Sequence, residues 1–142
     1  MNTLELSSSL RTAVAALHKV LRKQGSVISA YSMTERETIG LLMRNPALLP
    51  TELAALTKVK TQSMSHILNN LEEQGLIKRT PSKEDKRKVY ISITSAGKKI
   101  VEKARYEWDE WLKDAIEKSL TEKEKKSLEE SLPALNKLIE AK

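Results

Sequence analysis

Seven uncharged polar side chains, Thr61, Gln62, Ser63, Ser65, His66, Asn69 and Asn70, gather within ten residues. Their chemistry is hydrogen bonding. Hydroxyl, amide and imidazole groups each donate and accept, which suits them to base edges. Gln and Asn match adenine in bidentate geometry, whereas Ser and Thr discriminate less. A solvated helix face that happens to lack charge is the plainer alternative, although exposed helix faces ordinarily carry Lys and Glu. A second cluster, Lys83-Glu84-Asp85-Lys86-Arg87-Lys88, holds four cations in six residues. Such runs are commonly plain solvated loops; following the polar set so closely, this one offers charge to a polyanion. Lys58 and Lys60, just before the polar set, can reach flanking phosphates.

Other chemistries are poorly supplied. Two isolated histidines, His18 and His66, no cysteine, no His-Glu-x-x-His and no Gly-rich phosphate loop leave no nucleophile–base pair and no metal set. The expectation is a protein that is not an enzyme and needs no cofactor or metal. Lack of Cys also excludes disulfides and thiol redox sensing. The net charge of +6 is carried by residues 1–90, while the last third has eleven cations against eleven anions. No apolar run approaches the roughly 20 residues that cross a bilayer, and the start lacks the basic and apolar regions of a secretory signal. A cytoplasmic protein is expected. Membrane-surface binding by a basic first helix is weakened by its interspersed polar residues and its lack of aromatic anchors.

The elements that must position these side chains read from hydrophobic period. Leu10, Ala13, Val14, Leu17, Val20 and Leu21 form the apolar stripe of a helix over 4–24. A second helix starts at Thr34, with Thr34 and Glu37 as a capping box, and stops by Asn45-Pro46. Pro50-Thr51 opens a short third helix with Leu53, Ala54 and Leu56 facing inward, ending near Lys58. A fourth helix has Met64, Ile67, Leu68 and Leu71 on its inner face, the polar set on its outer one, and Gly75 as a left-handed terminator. The period then changes to two: Leu76–Thr80, ended by Pro81, and Val89, Ile91 and Ile93 alternating with Tyr90, Ser92 and Thr94 make a hairpin with the basic cluster at its tip. Thr94 caps a long helix over about 95–119, and a Thr121/Glu124 capping box opens the last one, which Pro133 should interrupt and kink. The fold class is mainly α with a small β-hairpin wing (α+β), in the order ααααββαα.

Short helix, tight turn, second helix and basic two-stranded wing are the parts that place a helix in the major groove of duplex DNA. In these parts the chain resembles the MarR family of winged helix-turn-helix regulators. Asp85-Lys86-Arg87-Lys88-Val89-Tyr90-Ile91-Ser92-Ile93-Thr94, then Gly97, is similar to that family's wing pattern. Glu52-Leu53-Ala54 and Leu71-Glu72-Glu73-Gln74-Gly75-Leu76-Ile77 look like the start of its helix-turn-helix and the exit of its recognition helix. The resemblance implies a single domain over 1–142, with a winged lobe over about 34–97 and dimerisation helices over 1–30 and 98–142. It implies a repressor that binds a pseudo-palindromic operator as a homodimer. Arg87 would enter the minor groove and Asp85 would orient it, though Asp is also a common turn former. The family often has Ser or Thr where Lys60 stands, so Thr61 is an alternative cap for the recognition helix.

The expected DNA contacts are therefore Lys58, Lys60, Thr61, Gln62, Ser63, Ser65, His66, Asn69, Lys83, Asp85, Lys86, Arg87 and Lys88. The likeness also implies release by a small aromatic or phenolic effector, for which His18, Tyr31, Tyr106, Trp108 and Trp111 are candidate contacts. Aromatics at this helical spacing more often fill a core or a subunit seam. The apolar stripes of the terminal helices suit a two-fold dimer or a bundle within one chain. A winged helix that contacts protein instead of DNA is the competing function.

Overall fold

A computed structural model describes residues 1–141. They form α1 (Thr3–Arg22), a 3₁₀ turn (Ile28–Ala30), α2 (Met33–Arg44), α3 (Pro50–Thr57), α4 (Thr61–Glu73), β1 (Ile77–Pro81), β2 (Val89–Ile93), α5 (Ser95–Ser119) and α6 (Glu122–Glu140). The expected order is present, with the 3₁₀ turn added. The chain divides into two compact units, one over Gly25–Tyr106 and the other made of residues 1–24 and those from Glu107 onward.

In the first unit, Ile39 and Leu42 of α2, Leu53 and Ala54 of α3, Met64, Leu68 and Leu71 of α4, Leu76, Ile77 and Ile91 form one buried cluster. Burying each large side chain contributes roughly 1.5–3 kcal/mol, so this cluster fixes which face of α4 is turned inward. β1 and β2 pair antiparallel, from Ile77 opposite Ile93 to Pro81 opposite Val89. Leu48 adds an isolated bridge, exchanging backbone hydrogen bonds of 3.0 and 2.8 Å with Ile91. No periodic signal in the sequence announces that bridge, because a single residue has no period.

Several local expectations are corrected. Helix α2 starts two residues early: Ser32 is its N-cap, in a capping box with Glu35. Ser32-x-x-Glu35 and Thr34-x-x-Glu37 overlap, and the earlier start lets Arg36 Nε donate to the Tyr31 carbonyl at 2.9 Å. Leu56 is 57% exposed. At 100° per residue it sits about 110° from the Leu53–Ala54–Thr57 face of α3, too far round to share its burial. β1 includes Pro81 and begins at Ile77; Pro is tolerated there because it ends the strand of a two-stranded sheet. α6 continues through Pro133 without interruption.

Helices α3 and α4 end alike. Val59 N–H reaches Ala54 O and Lys58 N–H reaches Ala55 O after α3; Leu76 N–H reaches Leu71 O and Gly75 N–H reaches Glu72 O after α4. Both are Schellman terminations with an apolar residue folded back onto the core. Gly75 takes the left-handed position at φ 76°, as expected, but after α3 that position is held by Lys58 at φ 58°. Thr94 ties the wing to both flanking helices: its Oγ1 donates to Gly75 O at 2.6 Å and accepts from Gly97 N–H at 3.1 Å. Gly97 is required by space, since a Cβ there would strike Leu76 O and lie 2.6 Å from Ile93 Cγ1.

The second unit contains α1, the later part of α5, and α6. Asn2/Glu5 and Thr121/Glu124 capping boxes open α1 and α6. The Thr121 backbone N–H and hydroxyl both donate to Glu124 and hold its carboxyl below the ordinary carboxylate value. Neither helix has a buried residue among those described; Leu6, Val14 and Leu17 on α1 and Leu128, Leu132 and Leu138 on α6 stand largely in the open.

Candidate nucleic-acid interface

With Met64, Leu68 and Leu71 buried, the helical period turns Thr61, Gln62, Ser63, Ser65, His66 and Asn69 outward, and all six are exposed. Asn70 is half-buried. The N-cap of α4 is Lys60 and not Thr61, and no side chain caps the helix. Thr61 is the first helical residue because Lys60 already has the extended backbone of a cap, φ −69° and ψ 150°. The first-turn N–H groups therefore lack a side-chain acceptor, and a helix start in that condition favours an anion. Lys58 and Lys60, both exposed, stand in the turn before it.

The wing tip is organised by its own polar atoms. Ser82 Oγ accepts from Glu84 N–H at 3.2 Å and Asp85 N–H at 3.3 Å, and Ser82 N–H donates to Lys88 O at 2.8 Å. Asp85 Oδ1 accepts from the Arg87 backbone N–H at 3.1 Å and from Arg87 Nε at 3.2 Å. Turn formation and orientation of Arg87, alternatives in the sequence, are thus made by the same carboxylate. Arg87 remains 91% exposed at the side chain while Asp85 is a third exposed. Lys83, Lys86 and Lys88 are exposed beside it.

One participant was not foreseen. Arg79 of β1 donates from Nη2 to Asn69 Oδ1 at 2.9 Å, and its Nε lies 3.9 Å from Glu72 Oε1. The pairing spans ten residues across the α4–β1 turn, and only the strand register brings it about.

The effector candidates fall in both units. Tyr31 packs against the buried cluster of the winged unit, and Tyr106 at the end of that unit is exposed. In the other unit His18 is exposed and lines a shallow groove on α1 with Leu10 and Val14. Trp108 and Trp111 are half-buried, and Trp108 Nε1 is buried with no hydrogen-bond partner among the described residues. No group of three or more His, Cys, Asp or Glu among the described residues could hold a metal, and no described helix is long and apolar enough to cross a membrane.

The family model described as MarR family matches residues 32–88, which span α2 through the wing tip. The chain is 30% identical over 111 residues to an uncharacterized HTH-type transcriptional regulator of Mycobacterium bovis, covering 78% of this chain and 77% of the relative. It is 32% identical over 117 residues to the HTH-type transcriptional regulator FarR of Neisseria gonorrhoeae, covering 81% and 80%. Its fold is similar to that of an S. aureus MepR variant solved bound to an oligodeoxyribonucleotide. There the TM-score is 0.69 at 21% identity, over 94% of this chain and 97% of that one.

Proposed function

This chain belongs to the MarR family and is a winged helix-turn-helix transcriptional regulator, and from that premise we propose that it represses transcription as a homodimer seated on a pseudo-palindromic operator. The outer face of α4 carries the reading. Its inner face is fixed by three buried apolar residues, and its outer face is exposed, polar and uncharged from Thr61 to Asn69. Gln62, Ser65, His66 and Asn69 address base edges in the major groove. Thr61, Ser63 and the uncapped N–H groups of α4, with Lys58 and Lys60, hold phosphates.

Arg87, held by Asp85, enters the minor groove, and Lys83, Lys86 and Lys88 take the flanking backbone. The exposed apolar stripes of α1 and α6 are the dimer contacts. Two lobes related by a two-fold axis read half-sites about one helical turn apart. Hydroxyl-radical footprinting on DNA selected by the chain tests this: two symmetric protected half-sites are expected, and a single asymmetric one contradicts it.

A small aromatic or phenolic anion lowers operator affinity in this reading. The observation behind it is the buried, unpartnered indole N–H of Trp108, a donor that an anionic oxygen would satisfy. Titration with salicylate is expected to quench tryptophan fluorescence and weaken DNA binding together. Salicylate that does neither removes this part of the proposal.

A further inference from the structure

The face of α4 assigned to base edges has one side chain already engaged. Asn69 Oδ1 accepts from Arg79 Nη2 at 2.9 Å. A guanidinium has donors only, so the amide can meet it with its oxygen and not with its nitrogen. Arg79 is itself constrained. Its backbone is paired opposite Ile91 in the sheet, its Nε lies 3.9 Å from Glu72, and its side chain is 34% exposed. Glu72 is three residues beyond Asn69 and so on the same side of α4. The guanidinium is thereby held against that side of the helix.

Asparagine matches adenine by using both ends of its amide, the oxygen for the N6 amino group and the nitrogen for N7. Here the oxygen already faces a cation, and a second donor brought to it meets that positive charge. The end left free is the NH₂ group, which only donates. In the major groove guanine presents two acceptors, O6 and N7, and thymine presents O4. Cytosine presents an amino donor and adenine sets its amino donor beside its single acceptor N7, so that a donor-only group meets repulsion at both.

We propose that Arg79 is a positioning residue that turns Asn69 into a reader of keto bases, so that one position in each half-site favours guanine or thymine over adenine or cytosine. The proposal rests on α4 lying in the major groove as read above.

The test is selection of binding sites from duplexes with randomised half-sites, using the whole chain and its variants. The unsubstituted chain should select a keto base, by roughly tenfold, at the position whose preference vanishes in Asn69→Ala. Arg79→Met frees the amide oxygen and should move that position alone towards adenine. Arg79→Lys keeps a donor there and should restore the keto preference, which a merely structural role would not require. Asn69→Asp leaves Arg79 untouched and offers acceptors only, so it should move the same position to cytosine, even if Arg79→Met folds poorly.

Adenine at that position for the unsubstituted chain overturns the inference. So does a keto preference that persists in Asn69→Asp, or an Asn69→Ala variant with an unchanged motif while Gln62→Ala alters it. If Gln62→Ala, His66→Ala and Asn69→Ala all leave the motif unchanged, the placement of α4 in the groove fails, and with it this inference.

Discussion

Two arginines of the winged unit illustrate how environment divides one side-chain type into two roles. Arg87 is nearly free in solvent and touches a single carboxylate through its backbone and Nε. Its guanidinium can therefore move onto DNA while its backbone stays in the turn. Arg79 is two-thirds covered and shared between Asn69 and Glu72, so in the proposed reading its influence passes through Asn69. Arg87→Ala is expected to weaken binding to every duplex alike and to reduce the salt slope by about one unit. Anisotropy titrations at several salt concentrations check this, and an unchanged affinity would remove Arg87 from the interface. Arg87 is legible in the sequence through the family resemblance, whose wing pattern includes both Asp85 and Arg87, two residues apart. Arg79 was not legible: its partner is ten residues away, and neither period nor composition distinguishes Lys78-Arg79 from an ordinary solvated pair.

At the scale of elements, hydrophobic period places α4 and α5 well, because each pairs an apolar face with a distinct boundary residue, Gly75 after α4 and Thr94 before α5, whereas it sets β1 one residue early. The errors fall where several local solutions compete. Two overlapping capping boxes precede α2, and α3 is too short for period to tell Leu56 from Leu53. The α3–α4 turn is a further case. A Schellman termination normally uses Gly, and this one places Lys58 in the left-handed region at φ 58°, at a cost of about 1 kcal/mol or more. Lys58→Gly should raise unfolding free energy by about 1 kcal/mol in urea titration. The same variant should bind DNA more weakly, with a salt slope shallower by about one unit. Stabilisation without loss of affinity would mean that the lysine is not a phosphate contact, and its strained backbone would have no functional counterpart.

For the whole molecule, the sequence reveals the apolar stripes of α1 and α6 without deciding what covers them, since a bundle within the chain and a seam between two chains demand the same pattern. The stripes stay exposed in the single chain, which favours the seam. Placing a lysine at Leu132 should weaken self-association by about 2–4 kcal/mol and shift sedimentation from dimer to monomer at micromolar concentration. An unsubstituted chain that sediments as a monomer contradicts the dimer outright. In the proposed function the polar face of α4 and the charged wing read duplex DNA, where a protein-binding winged helix would leave both merely solvated. Affinity for the best selected duplex against a scrambled duplex of equal length, over a range of salt concentrations, separates the two. For a DNA reader a preference of about a thousandfold or more is expected, with log affinity falling by about 0.9 per phosphate neutralised for each log unit of salt. Equal affinity for the two duplexes, with little dependence on salt, would contradict it.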